Sequence, residues 1–413
     1  MIATTAYVGI DVAKRFHKLC VKDGHKRSLI PTLEIGDSQE GYDKLRQCFD
    51  TLKDRHHVQL FAVGLESTGT YHEHILEWCR HQPDVLVSLI NPVQTNHFMK
   101  SDMRRASTDK ISAEMLAQFM AERTPSPTQF VADDYESAKR LVSHIHSLTK
   151  HKTAAINCLR EQVALLWPEY ERFFKNFNSK QCVALLTVVQ TPTEFLKLSE
   201  ETLKHVTVTG TTYTLRKDFL ADVTSLAQRS QPRYARAKVE PIIKSFAEQV
   251  LFLLEQIDRV TQELKAMFTK ALSEDSDPKA GASGKPLVAT IDGVGEVSAM
   301  FFTACIGDPN RFARGKQVCA YFGLTPRIHD SGDTVRGRGY IQKKGNNLVR
   351  YYLFNCVLAM IRKPNHPIAR FYQRLVAKGK PKLVAITACM RKLVLIMFAM
   401  LKSNKPFNPN IVH

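Results

Sequence analysis

Two stretches of this chain repeat apolar residues every three or four positions, each along a stripe that a lone helix would leave exposed to water. From residue 134 to about 166, Leu141, Ile145, Leu148, Ala155, Leu159 and Val163 fall near one helical face. From 234 to 272, Val239, Ile243, Phe246, Val250, Leu253, Ile257, Val260 and Leu264 do the same. Each stripe must be buried, so the pair predicts an antiparallel coiled arm flanking an insert at residues 168–231, which breaks at Thr191-Pro192 and at residues 208–214. Intramolecular packing and dimerisation both satisfy the stripes, and the spacing does not choose between them.

Before the arm the pattern is different. Residues 6–12 are a β run ending on an acid, and residues 17–21 and 28–35 read as its hairpin partners around Asp23-Gly24. Residues 39–54 are amphipathic and helical, 58–65 a buried strand, 71–80 a helix, and 85–90 a strand stopped by Asn91-Pro92. The order β-β-β-α-β-α-β followed by a helix predicts an α/β layered domain over residues 1–127, closed by Thr124-Pro125-Ser126-Pro127. The arm with its insert then occupies 128–272, a Ser/Gly/Asp/Lys-rich linker 273–286, and a last domain 287–413.

Charge separates these regions. The formal net charge is +18, yet residues 281–413 alone hold 21 Lys and Arg against five acids, and no acid follows Asp333. A surface of one sign is expected where phosphates are neutralised, whereas a merely solubilising surface mixes signs. The nine cysteines form no CxxC pair, which suits reduced thiols in a cytoplasm better than disulfides or zinc. The chain opens on no leader pattern, and the apolar run 383–401 is broken by Arg391 and Lys392, so a buried helix is expected rather than a membrane span.

Three acids carry the first candidate chemistry. Asp11 ends the first predicted strand in Gly-Ile-Asp-Val-Ala-Lys, and Glu66 ends the fourth in Gly-Leu-Glu-Ser-Thr-Gly-Thr-Tyr. A carboxylate at a buried strand end needs a cation or a basic partner. Asp109 follows Ser107 and Thr108, either of which can cap a helix running to Arg123. Two strand ends and a helix can form an oxygen cage for Mg²⁺ or Mn²⁺ on a phosphodiester, although each acid alone also reads as a loop or helix-dipole residue. His72 and His74 point about 200° apart on a helix, so surface residues are expected there rather than zinc ligands.

The basic end carries the second. Residues 287–299 read as a helix, a Gly293-x-Gly295 turn and a second helix, similar to a helix-hairpin-helix module that holds nucleic-acid backbone; an ordinary glycine turn gives the same pattern. Ser331 precedes a glycine in a polar loop with Arg327, Arg336 and Arg338 near it in sequence. Guanidinium groups can hold a scissile phosphate while a serine attacks it, but Ser-Gly is also a common turn. Lys343, Lys344 and Arg350 add expected phosphate contacts, and Tyr340, Tyr351 and Tyr352 either stack on bases or pack.

On residues 9–14, 66–71, 90–92, 108–116, 290–299 and 323–337, taken as an ordered set, the chain resembles the transposases of insertion-sequence family one hundred and ten, a group similar to the pilin-gene invertase Piv. The resemblance implies a RuvC-like, RNase-H-like first domain bearing an acidic tetrad, a helical arm that mediates dimers or tetramers, and a mainly helical serine transposase domain. It implies strand exchange on DNA through serine-linked intermediates, guided by a noncoding bridge RNA, with Mg²⁺ or Mn²⁺ as cofactor and the bacterial cytoplasm, at the nucleoid, as location. By position Asp11, Glu66 and Asp109 match the first three acids, and Ser331 matches the nucleophile. The fourth acid is replaced by Ser112, on roughly the same helical face as Asp109; Glu114 lies about 140° around the helix and is a poor substitute. Three other readings remain beside the recombinase: an invertase, a metal nuclease using only the acids, and a nucleic-acid-binding protein that has lost catalysis.

Overall fold

The computed structural model describes residues 4–67, 69–101, 109–128, 130, 132–174, 176–231, 238–274, 286–327, 330–331, 335–336, 340–341 and 345–408. The chain forms two compact units, residues 1–130 and 131–413.

The first unit is built on five strands: β1 (Thr5–Asp11), β2 (Phe16–Lys22), β3 (Leu33–Gly36), β4 (Leu60–Glu66) and β5 (Val85–Ile90). Helix α1 (Gln39–His56) follows β3, α2 (His72–Arg80) joins β4 to β5, and α3 (Pro92–Ser101) and α4 (Asp109–Arg123) complete it. The sheet order is β3-β2-β1-β4-β5, with β1, β4 and β5 parallel and β2 and β3 antiparallel. Side chains alternate across it. Ala6, Val8 and Ile10 of β1 and Phe61, Val63 and Leu65 of β4 join Leu45, Phe49 and Leu52 of α1 and Ile75 and Cys79 of α2 in one core layer, with the Phe49 and Phe61 rings stacked 4.0 Å apart. The opposite face, carrying Tyr7 and Ala62, is covered by Met115, Leu116, Phe119 and Met120 of α4.

One expectation here needs correction and another is extended. The predicted strand at 28–35 reduces to a single bridge between Lys22 and Ser28 and a strand from Leu33, because Asp23 organises the turn instead: its carboxylate accepts from the His25 and Arg27 amides and its own amide donates to the Arg27 carbonyl. Asn91-Pro92 ends β5 and also starts a helix. The Asn91 side chain accepts from the Val93 amide, and Pro92, whose missing N–H costs nothing at a first turn, opens α3.

In the second unit α5 (Asp133–Leu166) leads into α6 (Pro168–Phe173), α7 (Lys180–Leu185), α8 (Pro192–Phe195), α9 (Glu200–Lys204), the hairpin β6 (His205–Val208) and β7 (Thr211–Thr214), α10 (Lys217–Arg229) and α11 (Glu240–Glu274). Thr209 and Gly210, both at positive φ, make the two-residue hairpin turn. The predicted start of the second arm helix at 234 moves to Glu240: Pro241 is tolerated only in a first turn, and residues 232–237 lie outside the described ones. Helices α5 and α11 run antiparallel. Ala138, Val142 and Ile145 share a core with Val260, Leu264 and Phe268, while Ile156, Leu159 and Val163 share another with Val239, Ile243 and Val250. The insert closes the second core with Trp167, Tyr170 and Phe177, all fully buried.

Of the predicted linker, residues 275–285 lie outside the described ones. Beyond it a single 3-10 turn (Leu287–Thr290) stands where a helix was expected. Helices α12 (Glu296–Ile306) and α13 (Gly315–Tyr321), short strands β8 (Pro326–Arg327), β9 (Asp330–Ser331), β10 (Val335–Arg336) and β11 (Tyr340–Ile341), and helices α14 (Asn347–Ile361), α15 (Pro367–Ala377) and α16 (Lys382–Ser403) follow. By length and composition α16 is apolar enough to cross a membrane, but its Ala385, Cys389, Leu393, Val394 and Met397 are buried in the core with α12 and α14, as expected of a core helix.

Candidate active site

The acids at the strand ends meet through the register of β1 and β4. The parallel pairing runs from Thr5 with Leu60 to Ile10 with Leu65, so Asp11 and Glu66 occupy the next positions of adjacent strands. Alternation puts both on the α4 face, since Ile10 and Leu65 belong to the opposite layer. Burial pushes the half-buried Glu66 carboxyl above the usual carboxylate range, and the neighbouring Thr95 hydroxyl pulls the other way.

Two glycines let α4 reach this face. Gly9 and Gly64 are laterally paired, each two residues before its acid. A Cβ on Gly9 would come within 2.2 Å of the Ala117 amide nitrogen and 2.3 Å of the Ala113 carbonyl, and one on Gly64 within 2.7 Å of Met120. The direction of α4 follows from its far end: Glu122 pairs at 2.8 Å with Lys26, in the turn beyond β2 that lies at the amino-terminal end of β1. The start of α4, Asp109, is therefore directed toward the carboxy-terminal ends of β1 and β4. Ser112, one turn along, is partly buried, whereas the capping positions Ser107 and Thr108 lie outside the described residues. The described residues contain no assembled group of three His, Cys, Asp or Glu side chains suited to a metal, and the side chain of Asp109 is not among them.

Ser331 lies in the second unit, on a two-tiered ribbon. Its outer tier pairs Pro326 with Ile341 and Arg327 with Tyr340; its inner tier pairs Asp330 with Arg336 and Ser331 with Val335. Residues 328–329 and 337–339, between the two tiers, lie outside the described ones. Arg338, Lys343 and Lys344 fall outside the described residues.

The Gly-x-Gly turn is less open to an anion than its sequence suggests. Gly293 takes φ +93°, and a Cβ there would meet Met360 at 2.7 Å, so its first duty is close packing on α14. Gly295 is the N-cap of α12 and is uncrowded, but the helix begins with Glu296, whose carboxylate pairs with Lys265 at 2.6 Å. Asp292 on the other side pairs with Lys363. Carboxylates of the chain itself flank this helix start.

Arg350 requires the plainest correction. Expected among the phosphate contacts, it is 8% exposed and its guanidinium donates to the carbonyls of Phe322, at 3.0 Å, and Gly345, at 3.3 Å, and to the Asn347 side chain, at 3.0 Å. A basic residue in a basic domain gives no sequence signal of burial. Tyr352 is partly buried against Phe301, at 5.6 Å between ring centres, whereas Tyr351 is exposed beside His146. Sequence reasoning also missed Thr95, which touches Glu66, because α3 was not foreseen.

Residues 8–168 match a DEDD-type model described as a transposase, and residues 285–373 match one described as Transposase IS116/IS110/IS902 family. The first spans the acid-bearing sheet and α5, the second runs from the 3-10 turn through the serine ribbon into α15, and the insert falls between them. The class is thus transposase. Within it, the chain carries transposase domains of the IS116/IS110/IS902 family. Over 409 residues it is 23% identical to the pilin gene-inverting protein of Moraxella bovis, covering 98% of each chain, and 24% identical to the insertion element IS116 protein of Streptomyces clavuligerus, covering 98% of this chain and 96% of that one. A 140-residue stretch, 32% of this chain and 37% of the relative, is 31% identical to the transposase for insertion sequence element IS1111A of Coxiella burnetii.

Proposed function

We propose that this transposase is a site-specific DNA recombinase in which Ser331 is the nucleophile and Asp11, Glu66 and Asp109 form an acidic centre on an RNase-H-like sheet. The order β3-β2-β1-β4-β5, with three antiparallel strands followed by two parallel ones, supports the fold assignment. The observation that carries the acidic centre is the docking of α4 across Gly9 and Gly64 onto the face that bears Asp11 and Glu66. A half-buried carboxylate beside a second strand-end acid suits a hard divalent cation such as Mg²⁺, with Asp11 and Glu66 as ligands and Asp109 and Ser112 joining from α4. When bound, the cation supplies Lewis-acid stabilisation of a phosphodiester.

In the serine chemistry the Ser331 Oγ–P bond forms as a P–O bond to deoxyribose breaks; the serine proton leaves and the departing oxygen takes one up. Attack of another strand's hydroxyl on that phosphoserine reverses the exchange, so bond energy is conserved and no nucleotide cofactor is needed. Arg327, Arg336 and Arg338 share the ribbon sequence and can stabilise the developing charge. Specificity rests with a structured guide RNA, and dimers or tetramers built on the helical arm bring two DNA sites together in the cytoplasm, at the nucleoid.

The test uses the full chain with Mg²⁺, the DNA junctions flanking its coding region and RNA transcribed from the same flank. A protein–DNA adduct resistant to denaturant is expected, lost in Ser331→Ala. Strand exchange surviving in Ser331→Ala sinks the nucleophile assignment. If Asp11→Asn also abolishes cutting while Ser331→Ala does not, the acids cut directly. Because Ser112 stands where the family has its fourth acid, a decayed enzyme is the alternative this position favours. Salt-sensitive DNA binding without cleavage identifies that case.

A further inference from the structure

We infer that Arg350 is a positioning residue that sets the aim of the ribbon carrying Ser331, an inference that rests on the serine reading above. The ribbon leaves the helical core after Phe322, the C-cap of α13, and re-enters it at Gly345, just before α14. These two feet touch: a Cβ on Gly345 would lie 2.1 Å from the Tyr321 carbonyl oxygen, and Gly345 itself takes φ +94°. Arg350 bridges both, with Nη1 donating to the Phe322 and Gly345 carbonyls and Nη2 to Asn347. Asn346 completes the joint, accepting from the Leu348 and Val349 amides.

The placement is unusual in a way that points to purpose. Arg350 sits in the first turn of α14, where a cation opposes the helix dipole, and burial further disfavours its charge. The favourable interactions come from the carbonyl at the negative end of α13 and from the fork of donors, which fixes an angle as well as a distance. The result is a stiff joint beneath a ribbon in which, among the described residues, four pairs are formed. The joint sets the direction in which the ribbon leaves the core, and in-line attack on phosphorus is sensitive to displacements of about 1 Å.

The experiment compares the full wild-type chain with Arg350→Lys, Arg350→Met and Asn347→Ala, using amide hydrogen exchange over residues 322–345 and then the rate of adduct formation on the flanking-junction DNA. Exchange over this segment is expected to rise at least tenfold in Arg350→Met and less in Arg350→Lys. The adduct rate should fall by 100-fold or more in Arg350→Met, while DNA affinity stays within threefold. If Arg350→Met does not fold, Asn347→Ala, which keeps the charge and removes one acceptor, should give the same rate-without-affinity loss at about tenfold. Unchanged exchange in a folded Arg350→Met overturns the clamp. A loosened ribbon that forms adduct at the wild-type rate overturns the positioning role. Failure of the serine reading would look different: Ser331→Ala would remain active whatever the exchange data show.

Discussion

Asp84 accepts a two-point contact from Arg46, at 3.0 and 2.8 Å, and pairs with Lys53 at 2.7 Å, tying α1 to the start of β5. The Arg46 hydrogen bond, aided by Lys53, holds its carboxyl far below the usual carboxylate range even though burial pulls the other way. A depressed folded pKa contributes stability above the unfolded value of about 3.9, and that contribution is lost as pH falls through it toward the folded value. Asp84→Asn is therefore expected to cost about 1–3 kcal/mol at pH 7, with the gap from wild type narrowing toward pH 3 in urea titrations. A gap independent of pH would show that the charge is not what stabilises the joint. Asp84 carried no motif and was invisible in the sequence for that reason; Asp11 and Glu66 were legible because each ends an apolar run.

Among the elements, α4 is the one on which the proposed acidic centre depends. Its register over the sheet is set by Gly9 and Gly64, and any side chain at Gly9 meets helix backbone, which cannot rotate away. Gly9→Ala should lower stability by about 1–3 kcal/mol or more and abolish activity by lifting α4 from the acids. Gly24→Ala, where nothing lies within 4 Å of the new Cβ, should be close to neutral, and thermal melting of the two variants separates the cases. An equal effect at both positions would mean that close approach is not the cause. The coiled arm was legible as a pair of stripes, but which partner buries them was not. The structure buries them against each other because their spacings match along the antiparallel contact between residues 138–163 and 239–268.

At the scale of the whole molecule, charge is distributed by unit: the last 80 residues, after Asp333, hold no acid at all. Binding to duplex DNA should weaken linearly on a logarithmic salt scale, by about 0.9 for each phosphate neutralised. Replacing Lys343 and Lys344 together by alanine should lower the slope by about 2 with little change in sequence preference, measured by fluorescence anisotropy between 50 and 300 mM salt. An unchanged slope would remove both lysines from the phosphate contacts.

By itself the sequence determined the strands that end on acids, the paired helical stripes, the basic end and the glycine punctuation, because apolar period and net charge are local or additive properties. Only the tertiary structure decided which charges face the solvent and which work inside. Arg350 and Arg336 look alike in a string of basic residues, yet one lies beneath the serine ribbon while the other is on it. Burial is a property of three-dimensional neighbours, and for a guanidinium those neighbours are backbone carbonyls, which every residue possesses and no sequence marks.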